Sequence, residues 1–201
     1  FSMIQTQMND TRLSVIIPTI ASRRHILKLV LDGFKGQSVS YDTFEIVVVN
    51  DTPENSLPEF HYPYSLTTIN NTGTHGPAAA RNLGFRQSKG PFILFVGDDC
   101  VPSSDLVFQT LYYHKRYESH SSQRIIQGFV DWHREAQPDE FMLWLTCQLD
   151  SEWNGSGLQF AWKNLRDGSH WKEMADGWFM TSSVSVTREI FEAENGFCEE
   201  F

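Results

Sequence analysis

The sequence predicts an α/β fold, a mostly parallel sheet flanked by helices. Three observations carry that expectation. Leu13-Ser14-Val15-Ile16-Ile17, Phe44-Glu45-Ile46-Val47-Val48-Val49 and Phe92-Ile93-Leu94-Phe95-Val96 are short apolar, largely β-branched runs of the kind that form strands buried on both faces. Helix-period segments separate them at the interval of βα units, up to about residue 118. Each run leads into turn-capable polar residues, Pro18-Thr19, Asn50-Asp51 and Gly97-Asp98-Asp99, and in a parallel sheet such ends share one edge.

Taken in order, the first strand is stopped by Pro18-Thr19. Ser22 is the expected cap of a helix carrying Ile26, Leu27, Leu29, Val30, Leu31 and Phe34, with Gly36 as its stop. The second strand, 44–49, ends in the turn Asn50-Asp51-Thr52-Pro53, and Ser65 to Ile69 is a weaker third. Gly76-Pro77 opens a helix through Ala78-Ala79-Ala80-Arg81-Asn82-Leu83-Gly84-Phe85, because Pro suits the first helical position and alanine favours the helix. Phe92 to Val96 is the next strand, and Ser103 or Ser104 is the expected cap of a helix through about Tyr117. Further on, a strand is expected over 124–130, an amphipathic helix over 138–149 and a Trp-rich irregular stretch over 150–176. A strand over 178–186 follows, and a last helix capped by Thr187 and stopped by Gly196.

At 201 residues the chain is long enough for one domain that buries its own core. Its longest apolar run, Phe92 to Val96, is far too short to cross a bilayer, so no transmembrane segment is expected in it. Cys100, Cys147 and Cys198 are odd in number and widely spaced, which fits a reducing compartment. Cytoplasmic placement, at most peripheral to the inner face of a membrane, is the expectation. A net charge of −9 argues against nucleic acid as a partner, since polyanions need clustered Lys and Arg. A small anionic ligand remains compatible if a helix N-terminus, an arginine or a metal ion compensates its charge locally.

The glycine-rich dinucleotide fingerprint, the phosphate-binding P-loop, G-x-S-x-G and H-E-x-x-H are all missing from the sequence, and the seven histidines show no zinc-ligand spacing. What remains is the set of polar groups at the strand ends, with an arginine-bearing helix, Gly76-Pro77-Ala78-Ala79-Ala80-Arg81-Asn82, expected close to the Asp98-Asp99 pair.

Five stretches in order, "LSVIIPT" (13–19), "EIVVVND" (45–51), "GPAAARNLGF" (76–85), "PFILFVGDDCVP" (91–102) and "FMTSSVSVTREIFEAENGFCEEF" (179–201), make the chain resemble the family 2 glycosyltransferases. These are inverting enzymes of the GT-A fold that use nucleotide-diphosphate sugars. The resemblance implies a GT-A-type Rossmann-like sheet with a smaller acceptor-side region. Residues 13–201 would then be a single domain, 13–102 its nucleotide-sugar-binding half and 103–201 an incomplete acceptor-side half, with 1–12 disordered or foreign to the fold.

The resemblance also assigns roles. Pro18 and Thr19 would line the nucleobase pocket, and Asp51 would accept the N3–H of uracil, which cytosine lacks. Arg81 would lie near the base and the acidic pair. Asp98 would take ribose hydroxyls, and Asp99 would coordinate Mn²⁺ or Mg²⁺ bridging the diphosphate. Elementary chemistry agrees with the last role: two carboxylates repel a diphosphate unless a hard dication stands between them, and such ions commonly take one or two carboxylates plus phosphate oxygens. The implied reaction is transfer of a sugar, from a UDP-sugar by preference, to a saccharide, a lipid-linked or another hydroxyl acceptor.

The sequence departs from the family pattern in three places. Gly97 replaces the first Asp of the usual D-x-D, Ser183 stands where Asn is common, and the general base is expected beyond Phe201. On that reading the chain is a fragment that binds donor and transfers little or no sugar. On the acceptor side, Trp132, Trp144, Trp153, Trp162, Trp171 and Trp178 are equally suited to sugar stacking and to core packing. Asp176, Glu199 and Glu200 are candidate acceptor-side carboxylates or solvated surface groups. Cys100 is expected to be a small buried residue and not a nucleophile. Two alternatives stand beside the transferase. A sugar-phosphate nucleotidyltransferase wants a glycine-rich loop after the first strand, where this chain has "PTIASRRH"; a non-catalytic nucleotide-sugar-binding module needs no base.

Overall fold

The computed structural model describes residues 13–119, 124–128, 130, 137, 140 and 181–200. The chain divides into two units, Phe1–Gly128 together with Thr181–Phe201, and Phe129–Met180. All the elements named below belong to the first. The expected helix over 138–149, the six tryptophans, Asp176 and Cys147 lie outside the described residues, apart from Glu140.

Strand β1 (Leu13–Thr19) is followed by a 3₁₀ turn (Ala21–Arg23) and helix α1 (Arg24–Phe34). Then come β2 (Phe44–Asn50), β3 (Ser65–Asn70), α2 (Pro77–Gln87), β4 (Phe92–Val96), α3 (Leu106–Arg116), β5 (Ile125–Gln127), β6 (Ser183–Thr187) and α4 (Arg188–Ala193). The sheet order is β3-β2-β1-β4-β6-β5. β1 runs parallel to β2 and β4, and β2 parallel to β3, whereas β6 is antiparallel to both β4 and β5.

Strand alternation explains the layers. Val15, Ile17, Ile46, Val48, Leu94 and Val96 point to one face, where they pack with Leu27, Val30, Leu31 and Phe34 of α1 and Val107 and Leu111 of α3. Ile16, Ile93 and Phe95 point to the other, against Val184, Val186 and Phe191, while Val47 and Val49 meet Ala80 of α2 there. With helices on both faces the central strands have no solvent side, which is why their sequences are apolar without alternation. α2 lies close on the sheet: a Cβ at Gly84 would stand 2.5 Å from Cγ2 of Ile16, so only glycine allows this approach.

Three local expectations are corrected. β1 continues through Pro18 to Thr19, because the ladder to β4 ends at Ile16↔Phe95 and only β2 accompanies β1 beyond it, so Pro18 removes no bond to β4. Ser22 is not a cap: it lies inside the 3₁₀ turn, and the residue before α1 is Arg23, with no side-chain cap. α3 likewise starts after Asp105, not after Ser103 or Ser104, and the Ser103 hydroxyl donates instead to Asp105 Oδ1 at 2.8 Å. Thr187 does precede α4, although it makes no side-chain capping bond.

Candidate functional site

The order of strands reverses between β1 and β4, since β2 and β3 extend the sheet from one side of β1 and β4 and β6 from the other. Open α/β sheets bind ligands outside the carboxyl ends of strands at such a point. Here the two strands part company after Ile16 and Phe95, and the loops that follow carry Thr19, Arg23, Asp98 and Asp99.

Asp98 and Asp99 form the first turn after β4, with the Cys100 amide donating to the Gly97 carbonyl at 3.1 Å. Gly97 leaves room for the Asp99 carboxylate: a Cβ there would stand 2.8 Å from its Oδ1, so a larger residue would make that side chain shift. The Asp98 carboxylate is largely buried, with 12% of its side chain exposed, and its Oδ2 accepts the Thr19 hydroxyl at 2.7 Å and Arg23 Nε at 2.9 Å. Among the described residues its Oδ1 accepts nothing. Asp99 is 59% exposed and takes Arg23 Nη2 on its Oδ2 at 2.8 Å. The hydrogen bond and charge of Asp98 push the Arg23 guanidinium above its ordinary value. One arginine, contributed by the 3₁₀ turn after β1, therefore bridges both carboxylates.

Asp51 sits beyond the end of β2 and organises the loop leading to α2. Its Oδ2 accepts the Gly76 amide at 2.7 Å, and its Oδ1 accepts Asn71 Nδ2 at 2.6 Å, with His75 Nδ1 3.4 Å away. Each oxygen keeps a lone pair for a further donor. Arg81, one turn into α2, donates from Nη1 to the Pro77 carbonyl at 3.0 Å, and its guanidinium lies 6.0 Å from the Phe197 ring. Its Nε is fully enclosed and has no partner among the described residues. Burial lowers the Arg81 pKa and the charge of Asp98 opposes that effect, so this guanidinium senses Asp98.

Of the residues singled out from sequence, Thr19 meets Asp98 directly, Asp99 joins them through Arg23, and the charge of Asp98 acts on Arg81. Pro18 lies at the end of β1 opposite Val49, and Asp51 accepts from the β3–α2 loop. Ser183 is buried in β6 opposite Val96. Glu199 Oε1 accepts Asn82 Nδ2 at 2.8 Å, so it is tied to α2, whereas Glu200 is exposed. Burial pushes the Cys100 thiol up to about 12, which keeps it protonated and inert as a nucleophile.

Sequence reasoning missed three residues: Arg23, Asn71 and Asn82. Asn82 accepts the Phe197 amide at 2.9 Å and donates to the Phe197 carbonyl at 2.8 Å, fastening 197–199 to α2. Arg23 had one visible signal, an Arg-Arg pair in the βα loop at the topological switch point.

Three carboxylates, Asp51, Asp98 and Asp99, stand against two guanidiniums, so the site itself offers a diphosphate no surplus of positive charge. Among the described residues no three His, Cys, Asp or Glu side chains are grouped to hold a metal ion. The adjacent carboxylates of Asp98 and Asp99 nevertheless suit a hard dication such as Mn²⁺ or Mg²⁺ that draws its remaining ligands from phosphate oxygens and water.

The family model for glycosyl transferase family 2 matches residues 14–177. The chain belongs to glycosyl transferase family 2. An uncharacterized glycosyltransferase of Haemophilus influenzae is 28% identical over 136 residues, 64% of this chain and 45% of that protein. The poly(ribitol-phosphate) beta-N-acetylglucosaminyltransferase TarS of Staphylococcus aureus is 32% identical over 94 residues, 44% of this chain and 16% of TarS. The matched stretch thus spans less than half the length of these relatives. Among solved structures, the mannosyltransferase PcManGT from Pyrobaculum calidifontis, in complex with GDP-Man and Mn²⁺, superposes with a TM-score of 0.60 at 18% identity, covering 96% of this chain and 49% of that one. Residues 1–349 of TarS superpose with a TM-score of 0.54 at 16% identity, covering 94% and 51%. These likenesses establish the GT-A glycosyltransferase fold, with its mostly parallel sheet, for this family 2 chain. Among the described residues no helix is long and apolar enough to cross a membrane.

Proposed function

We propose that this family 2 domain binds a UDP-sugar with a divalent cation and serves an inverting transfer of the sugar to an acceptor hydroxyl. The observation that carries the reading is the gathering of Thr19, Asp98 and Asp99 at the switch point through the Thr19–Asp98 hydrogen bond and the Arg23 bridge. Mn²⁺ or Mg²⁺, when bound, offsets the charge that develops on the departing diphosphate. The remaining work falls to the chain itself. Pro18 and Thr19 flank the base, and Asp51 accepts the uracil N3–H on a lone pair its loop contacts leave open. Asp98, held by the Thr19 hydroxyl, takes ribose hydroxyls, and Asp99 is the metal ligand. Arg81 supplies a half-buried positive charge whose Nε has an unmet bond to give. The acceptor is a saccharide, a lipid-linked or another hydroxyl compound, and polysaccharide assembly is the setting. TarS, named for transfer to poly(ribitol-phosphate), is one relative of that kind.

The test is calorimetric titration of UDP, CDP and GDP in the presence of Mn²⁺. UDP is expected to bind tightest, and Asp51→Ala to weaken it roughly ten- to a hundredfold, the loss of one charged hydrogen bond. A ranking with CDP or GDP above UDP would make Asp51 a loop-organising residue only.

A further inference from the structure

The bond network at the acidic pair contains a cation that the proposed chemistry does not use. Arg23 Nε and Nη2 occupy Oδ2 of Asp98 and Oδ2 of Asp99, at 2.9 and 2.8 Å. A dication on the same carboxylates would compete for those lone pairs and stand at contact distance from a guanidinium of the same sign. The two cannot be held at full strength together.

We propose that Arg23 is an exchangeable counter-cation of Asp98 and Asp99, which the divalent cation must displace. This rests on the metal-and-nucleotide reading above and gives that site a regulation of its own. Three features make the exchange feasible. The Arg23 side chain is 37% exposed and Asp99 59% exposed, so their ion pair is of the weak, solvent-screened kind. Arg23 ends a short 3₁₀ turn, and among the described residues only Asp98 and Asp99 hold its guanidinium, which leaves that group able to swing outward. Asp98 keeps its Thr19 hydrogen bond at 2.7 Å when the arginine leaves, so the carboxylate stays in place for its next partner. The consequence is coupling. A lone cation has to oust an arginine for the Asp99 carboxylate and water, whereas a cation arriving with a diphosphate brings further ligands, and the displaced guanidinium finds phosphate oxygens to pair with.

The experiment titrates Mn²⁺ alone, without nucleotide, into the unmutated protein, Arg23→Gln and Arg23→Lys, each checked for an unchanged circular dichroism spectrum. Arg23→Gln is expected to tighten Mn²⁺ about fivefold, the upper range for a partly exposed ion pair. Arg23→Lys, which keeps the charge, should stay within about twofold of the unmutated protein, and adding Asp99→Asn to Arg23→Gln should erase the gain. Mn²⁺ binding by Arg23→Gln that is absent, unchanged or weaker would overturn the proposal and leave Arg23 as a fixed replacement for the metal. So would an equal gain in Arg23→Lys, or a gain that survives Asp99→Asn. UDP titrated with and without Mn²⁺ into the unmutated protein tests the underlying reading separately, because that result does not depend on the nucleotide-free titrations.

Discussion

The two edges of this sheet treat carboxylates in opposite ways. At the amino edge of β2, Glu45 is buried: its Oε1 accepts the Ser14 hydroxyl at 2.7 Å and the Lys89 amide at 2.6 Å, and Ser14 in turn accepts the Gly90 amide at 2.8 Å. That network joins the starts of β1 and β2 to the turn before β4. At the carboxyl edge, Asp98 and Asp99 are held mainly by an arginine and a hydroxyl, with Asp98 Oδ1 accepting nothing among the described residues and Asp99 mostly exposed. What differs is the partner: Glu45 is bonded to a buried hydroxyl and a backbone amide of the sheet's own frame, whereas Asp98 and Asp99 are bridged by a part-exposed arginine that a ligand can reach. Parallel strands impose this asymmetry, since their carboxyl ends open into loops at a crevice while their amino ends are fed by chain returning from the helices.

The largest effect that sharpens the contrast comes from Glu45→Ala. It strands a buried donor, the Ser14 hydroxyl, and a part-buried one, the Lys89 amide, and is expected to lower stability by about 2 kcal/mol in urea unfolding. UDP affinity in Mn²⁺ should be unchanged. A matching loss of UDP affinity would mean that the two edges are not independent.

A second effect lies near the amino end of β4, where His114 of α3 stacks on Phe92 at 4.3 Å between ring centres. The Ser185 hydroxyl donates to the Ile93 carbonyl at 2.8 Å, so at its 2.8 Å contact with His114 Nε2 the ring nitrogen carries the proton. His114 Nδ1 is then an enclosed acceptor without a partner among the described residues. Burial, reinforced by the charge of Arg124, lowers the pKa from 6.5 to about 3. The unfolded chain therefore takes the proton first as pH falls. The stabilising contribution is complete above about pH 6.5 and is lost progressively from there toward pH 3. By pH 5 the loss should reach about 2 kcal/mol, read as a fall in the urea midpoint that His114→Gln removes. An unchanged slope in that variant would place the acid sensitivity elsewhere.

The sequence made the two edges unequally legible. β1, β2 and β4 are evident as apolar runs because helices cover both their faces, whereas β3, at the sheet margin and largely exposed, leaves only a weak run from Ser65 to Ile69. Helix starts were misplaced where a 3₁₀ turn intervenes at Ala21–Arg23, and where Asp105 rather than a serine precedes α3. The positions of Asp51, Asp98 and Asp99 at the carboxyl edge were readable because a strand end fixes where its next residue lies. Arg23 was not, since its long side chain reaches a carboxylate 75 positions away and no periodicity records such a contact. Asn71 and Asn82 were missed for the same reason, as each ties loops whose meeting depends on the whole sheet.

The smallest expected stability change belongs to Asp99, the proposed metal ligand. Asp99→Asn, at an exposed position, should alter stability by no more than about 0.5 kcal/mol. The direct test of the open carboxyl edge is the affinity of UDP with and without Mn²⁺, measured by calorimetry in the unmutated protein and in Asp99→Asn. Mn²⁺ is expected to tighten UDP by about tenfold or more in the unmutated protein, the scale of one charge-assisted contact, and to make no difference in the variant. Equal UDP affinity with and without Mn²⁺ in the unmutated protein would contradict the account.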